Sequence, residues 1–190
     1  MAGDLGAATL DVHARAREVL GFWFALTPEQ HFATSARLDA EIKARFGPLR
    51  DLVLGAGAAG WRDDPEALLA AIVLLDQFSR NIHRGTAKAF EADPLALELA
   101  FEALDKGWSH NAPDDWRAFL LMPLMHSEEI EVQARCVAEF RRLGNQLNLD
   151  FAIQHRDQIA RFGRFPGRNK ALGRVSTPEE RAALEAGAAF

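Results

Sequence analysis

Asp76, Gln77, Arg80, Asn81 and Arg84 follow directly on the most apolar stretch of the chain, Leu68 to Leu75. At the ~100° per residue of an α-helix they fall at about 0°, 100°, 40°, 140° and 80°, one continuous polar arc. Leu75, Phe78 and Ile82 keep to the other side. Burying Asp and Arg costs several kcal/mol unless they are paired. Two readings fit. Asp76 and Arg80, at i and i+4, pair on a surface turn for ~0.3–0.5 kcal/mol. Alternatively the arc lines a pocket in which Arg80 and Arg84 turn guanidinium forks to a carboxylate or phosphate. Asp76 and Asn81 would then orient those forks, with Asp76 also a catalytic candidate and Gln77, Arg80, Asn81 and Arg84 ligand-binding candidates; five polar groups in one arc favour this pocket.

Two further segments break the apolar pattern. In Met125-His126-Ser127-Glu128-Glu129, Ser127 reads as a helix cap and the two glutamates suit the positive end of a helix dipole. Capping leaves His126 unexplained. A histidine after Pro123 and before a helix start is placed to face a cleft, where His126 with Glu128 or Glu129 could move a proton. His126, Glu129 and His155 could also be combined as metal ligands, but no HExxH-type spacing supports a metal, and none is assigned. The third segment is Arg161-Phe162-Gly163-Arg164-Phe165-Pro166-Gly167-Arg168-Asn169, continuing through Leu172-Gly173-Arg174. Its glycines allow backbone amides to approach a ligand and its arginines supply fixed forks. Arg164, Arg168 and Asn169 are therefore ligand-binding candidates. The competing account is a surface connection whose arginines pair with the chain's excess acid.

The elements that must position these residues are helices. The chain has 34 Ala and 24 Leu against 18 Val, Ile and Thr, and no Tyr. That balance excludes a large sheet. Start and stop signals recur: Ser35, Asp64-Pro65, Asp93-Pro94, Pro113 and the capping box Thr177-Pro178-Glu179-Glu180 open helices, and Gly85, Gly107, Gly144 and Gly163 close them. Pro48 is expected to interrupt a helix begun at Ser35, and Pro123 to bend or end another. The expectation is one all-α domain over residues 11–190, of about eight or nine helices packed as antiparallel hairpins, behind a flexible tail at residues 1–10.

Composition bounds the partners. Net charge is −5, yet residues 155–175 carry a local +5, from Arg156, Arg161, Arg164, Arg168, Lys170 and Arg174 against Asp157. Nucleic acid is not expected, because the basic patch is small and the whole chain acidic. A single cysteine, Cys136, excludes an internal disulfide and a multi-cysteine metal site. The longest apolar run is far short of a membrane span, and no secretory signal opens the chain, so a cytoplasmic location is expected. No Walker loop, nucleophile elbow or dinucleotide fingerprint appears, and no cofactor is assigned.

Together these segments resemble a bacterial family, domain-of-unknown-function family 924. The resemblance rests on Leu75-Asp76-Gln77-Phe78-Ser79-Arg80-Asn81-Ile82 with Arg84-Gly85-Thr86, Ala89-Phe90 and Asp93-Pro94; on Pro123 with Met125-His126-Ser127-Glu128; and on His155 with Arg161 to Pro166, Arg168-Asn169, Leu172-Gly173-Arg174 and Ser176-Thr177. It implies an all-α fold similar to the tetratricopeptide-like helical superfamily and no particular activity. Ser79, Leu121 and Gly167 depart from the family pattern, standing where proline, tyrosine and histidine are usual. The leading functional expectation is a pocket for a small phosphate- or carboxylate-bearing molecule, with hydrolysis or transfer as the reaction class if it is an enzyme. The alternative is a helical scaffold for a peptide or protein partner, its polar motifs serving only packing.

Overall fold

The computed structural model describes the backbone of residues 3–187 and the side chains of residues 12–109 and 112–187. The expected tail at residues 1–10 therefore lies outside the described side chains. The fold is all-helical: among the described residues there is no strand, and no helix is long and apolar enough to cross a membrane. Eleven α-helical segments are described, three of them only four or five residues long. They group into two compact units, one of residues up to Arg84 with Lys88–Ala112, the other of Gly85–Ala87 with the chain from Pro113 onward.

The first unit holds α1 (Gly3–Trp23), α2 (Pro28–Phe32), α3 (Ala36–Gly55), α4 (Pro65–Ile72), α5 (Ser79–Ile82), α6 (Asp93–Asp105) and α7 (Trp108–Asn111). Its centre is α4, where every residue from Ala67 to Ile72 is buried, as a helix apolar on all sides requires. Asp64 caps it by accepting from Ala67 N at 2.9 Å, with Pro65 in the first turn. Beyond Ile72 the chain does not stay α-helical. Val73–Phe78 forms a π-helical turn, wholly buried, before α5 resumes. Bonds from i to i+5 widen that turn, so residues beyond it are displaced from their α-helical bearings. The 100° spacing that placed Asp76 to Arg84 in one arc thus does not hold across it. Phe78, the last residue of the turn, packs against Phe22, Trp23 and Phe46, with ring centroids 6.0, 5.5 and 5.0 Å away.

The helix α3 departs from expectation in running unbroken through Pro48. The proline is exposed, whereas Phe46, Arg50 and Val53 are buried, and their packing holds the helix across the lost backbone donor. Thr27-Pro28-Glu29-Gln30 opens α2 with a capping box that sequence reading passed over. At α6 the cap position falls to Ala92, and Asp93 is already the first helical residue.

The second unit holds α8 (Asp114–Met125), α9 (Ile130–Leu143), α10 (Gln146–Phe162) and α11 (Pro178–Glu185), with α9 packed between α8 and α10. Pro123 lies inside α8, which ends two residues later. Gly163, at φ +67°, takes the left-handed conformation that closes α10 and turns the chain into the arginine-rich loop. Thr177 and Glu180 form the expected capping box of α11. Ser127 does not cap α9. That position is Glu129, and the Ser127 hydroxyl instead accepts from Glu129 N at 3.2 Å within the preceding turn.

Candidate functional site

In the first unit the polar residues around the π-turn are engaged one by one. Asp76 is fully buried, and a carboxylate there must be compensated. Arg80 supplies the charge, its Nη1 lying 2.9 Å from Asp76 Oδ1 and donating to Asp76 O at 2.8 Å; Gln77 Nε2 donates to Asp76 Oδ2. The same guanidinium grips Asp93 with both terminal nitrogens, at 2.9 and 3.1 Å. Burial alone would lower the Arg80 pKa; the charges of Asp76 and Asp93 outweigh it and hold the group further toward its charged form. Asp93 thus serves Arg80 rather than its own helix end. Asn81 and Arg84 both turn to Asp39 on α3: Asn81 Nδ2 donates at 2.8 Å, and Arg84 at 2.7 and 2.9 Å. That pairing, chiefly the bond from Arg84, lowers the Asp39 pKa.

One buried cation here gave no sequence signal. Arg50 is 1% exposed, and its Nε donates to Ser79 Oγ at 2.9 Å. Its Nη1 reaches Asp51 at 2.9 Å and Glu91 at 2.7 Å. Ser79, read as a departure from the family pattern, is therefore the acceptor for a buried guanidinium. Asp39 and Glu91 were likewise unforeseen; their partners lie about forty residues away in sequence.

In the second unit His126 occupies the turn after α8. Gln133, wholly buried on α9, fixes that turn by donating from Nε2 to Met125 O and Ser127 O, both at 2.7 Å. Glu128 ties the arginine-rich loop to it. Its Oε1 accepts from Phe165 N at 2.8 Å, and its two oxygens take the Arg174 fork at 2.7 and 2.9 Å. Burial opposes ionisation of Glu128, but the bonds from Arg174 and Phe165 prevail and its pKa is lowered. The far end of the loop hangs on Glu180, a buried carboxylate gripped by Arg164 at 2.6 and 2.9 Å and by Asn169 Nδ2 at 3.2 Å. Arg164 first, and the Thr177 backbone second, hold its pKa down at about 2. Arg174 also donates to Asn169 Oδ1 at 2.9 Å, which closes the network.

Arg168 is buried, stacked 4.5 Å from the Phe165 ring centre, and donates to His126 O at 2.9 Å. His155 on α10 stands edge-on to the same ring at 5.5 Å, and its ring centre is 6.3 Å from that of His126. His155 Nδ1 lies 2.8 Å from Phe151 O, an acceptor only, so Nδ1 carries the proton and Nε2 is the basic nitrogen of the neutral ring. His155 is buried, whereas His126 is half-buried. Glu129 is exposed and forms no side-chain cap bond. Glu128, Glu179 and Glu180, from outside residues 155–175, pair with Arg174, Arg161 and Arg164, which reduces the local +5 to +2. Among the described residues no three His, Cys, Asp or Glu side chains are grouped as a metal ion would require.

The candidate residues thus form two sets, Asp76, Gln77, Arg80, Asn81 and Arg84 in the first unit and His126, Glu128, Arg164, Arg168 and Asn169 in the second. What the sequence did not show was the pairing of Asp39, Asp93, Arg174 and Glu180 as counter-ions, and the turn-fixing Gln133. Glu180 had a signal, the capping box, but not for its second role.

The family model for "Bacterial protein of unknown function (DUF924)" matches residues 19–188, so the chain belongs to that family. It is similar to a solved structure of a protein of unknown function from Agrobacterium tumefaciens, at 39% identity and a TM-score of 0.88, over 93% of this chain and 99% of that one. A comparison with functionally curated proteins gave no match.

Proposed function

We propose that this protein binds a small phosphate- or carboxylate-bearing molecule at the His126 turn of its second unit. The carrying observation is that His155 and the buried Arg168 flank Phe165 while the His126 ring stands 6.3 Å from that of His155, half-buried and so within reach of solvent. Arg168 supplies positive charge that never titrates at physiological pH, and its stacking on Phe165 leaves it little freedom to lose on binding. His126 is the hydrogen-bond partner and, if a bond is broken, the group that carries the proton. Hydrolysis or transfer at the phosphate or carboxylate is the reaction class this chemistry suits.

Glu128 takes a different part in this reading. Three hydrogen bonds and a lowered pKa make it a fixed anion that anchors the loop, not a proton carrier. Arg164 and Asn169 likewise set the loop's shape. In the first unit the Arg80 and Arg84 forks are held by Asp93 and Asp39, which suits a frame better than a ligand cradle.

The test follows the His126 ring protons by NMR while inorganic phosphate, and separately acetate, is added. The expected result is a saturable shift of His126 with a raised pKa, lost in Arg168→Lys. A His126 resonance indifferent to both anions at millimolar concentration would overturn the reading.

A further inference from the structure

Helix α11 is tied to the second unit chiefly by charge. Of its eight residues only Glu180 and Ala183 are buried, and one alanine offers little apolar area to hold a helix. Against α10 it is loosely packed: an open cleft of about 290 Å³, lined by Gln154, Gln158 and Phe162 of α10 and by Ala183, lies between them. What holds α11 is a pair of carboxylates. Arg161 donates twice to Glu179 at the surface, at 2.8 and 2.9 Å. Glu180 takes the Arg164 fork at 2.6 and 2.9 Å and accepts from Asn169 at 3.2 Å. A helix this short does not persist alone in water, so once those bonds open it is lost as a whole.

The same bonds lead on to the His126 turn. Asn169 accepts from Arg174 at 2.9 Å, and Arg174 forks onto Glu128 at 2.7 and 2.9 Å and donates to Phe165 O at 3.0 Å. Glu128 in turn accepts from Phe165 N at 2.8 Å. Arg168, stacked on the Phe165 ring and donating to His126 O, completes the chain of contacts. Releasing Glu180 at one end therefore removes a constraint on the loop that shapes the other.

We infer that α11 is a strap, latched by Glu179 and Glu180 onto Arg161 and Arg164, that opens as a unit while α8, α9 and α10 stay folded and whose opening loosens the arginine-rich loop at the His126 turn. Segments with few buried apolar contacts are the ones that open below the global transition. The inference rests on the ligand site proposed above only for what the strap regulates: a filled site and a closed strap stabilise each other.

The test is native-state hydrogen exchange of the full chain, followed by NMR without ligand and then with inorganic phosphate. The Arg181, Ala182 and Ala183 amides should exchange together, about 100-fold or more faster than those of the buried Cys136 and Val137 on α9. Glu180→Gln can still close the capping box with Thr177 but gives up the charge that holds Arg164. It should speed α11 exchange about tenfold, speed the Phe165 and Arg174 amides by a smaller factor, and leave α9 unchanged. If Glu180→Gln does not fold, Arg164→Lys keeps the charge, loses the fork and reads the same acceleration. Phosphate that shifts His126 should slow α11 exchange. The inference is overturned if α11 exchanges only at the rate of α9, if the variant speeds α11 but not Phe165 and Arg174, or if His126 shifts with phosphate while α11 does not respond. A His126 indifferent to phosphate overturns the functional reading instead, and the ligand-free rates still decide the strap.

Discussion

Glu128→Gln tests whether the arginine-rich loop is held by one carboxylate. In the wild-type chain that carboxylate accepts from Phe165 N and takes the Arg174 fork in bidentate fashion. A glutamine keeps one oxygen for Phe165 N but turns an NH₂ toward Arg174 Nη1, donor against donor. One charge-assisted bond is lost, worth about 1.5–3 kcal/mol, and a repulsive contact replaces it. The side chain is 28% exposed, so water recovers part of the loss. We expect a net ~1–2 kcal/mol, or a Tm lower by about 2–8 °C for a chain of this size. Urea denaturation gives the energy, and hydrogen exchange at the Phe165 amide locates it in the loop. A cycle with Arg174→Ala should show a coupling of about 1 kcal/mol or more. The pH dependence has a definite sign. Glu128 has a folded pKa below its ordinary 4.5, so its contribution is complete above that value and is lost as pH falls through the folded pKa. The gap between wild type and variant should therefore narrow on acidification. Coupling near zero, or a gap that widens in acid, would refute the assignment of Glu128 as anchor.

Three further perturbations probe the rest of the frame. Glu180, held down at about 2 from 4.5, stabilises the fold above pH ~5 and loses that contribution as pH falls toward about 2. Glu180→Gln should flatten this acid limb, read by circular dichroism across pH, and an unchanged limb would show that the carboxylate is not the responsible group. Arg80→Met leaves Asp76 buried without its cation and should cost ~3–5 kcal/mol in urea unfolding, with Arg80→Lys intermediate. A loss under about 1 kcal/mol would mean that Asp76 is neutral there. Ser79→Ala removes the acceptor of a buried guanidinium N–H and should cost ~1–3 kcal/mol; equal stability would deny the Arg50 bond any weight.

How far the sequence could be read follows from how local each determinant is. The capping box at Thr177, the aspartate at Asp64 and the glycine at Gly163 act within one turn of their own backbone, and each took its expected part. The same logic would have found α2, since Thr27-Pro28-Glu29-Gln30 repeats the arrangement of Thr177-Pro178-Glu179-Glu180. The all-helical class was equally legible, because propensity is summed over many residues and tolerates single errors such as Pro48. The π-turn was not legible. It departs from the α-helical period along Val73–Phe78 and ends with Phe78 among Phe22, Trp23 and Phe46, tertiary contacts that no local rule encodes.

The site divides along the same line. That Asp76, His126 and the arginines of the loop break the apolar helical pattern around them could be seen from their positions in the sequence. Their partners could not, because Asp39 pairs across 45 residues with Arg84 and Glu128 across 46 with Arg174. Asp93 shows how a local rule is overridden. As a cap it would satisfy one backbone N–H, for about 1 kcal/mol. Gripping Arg80 instead gives it two charge-assisted hydrogen bonds, each worth ~1.5–3 kcal/mol before water recovers part of that. Two charge-assisted bonds outweigh the single cap bond, and Asp93 stands inside its helix, facing Arg80.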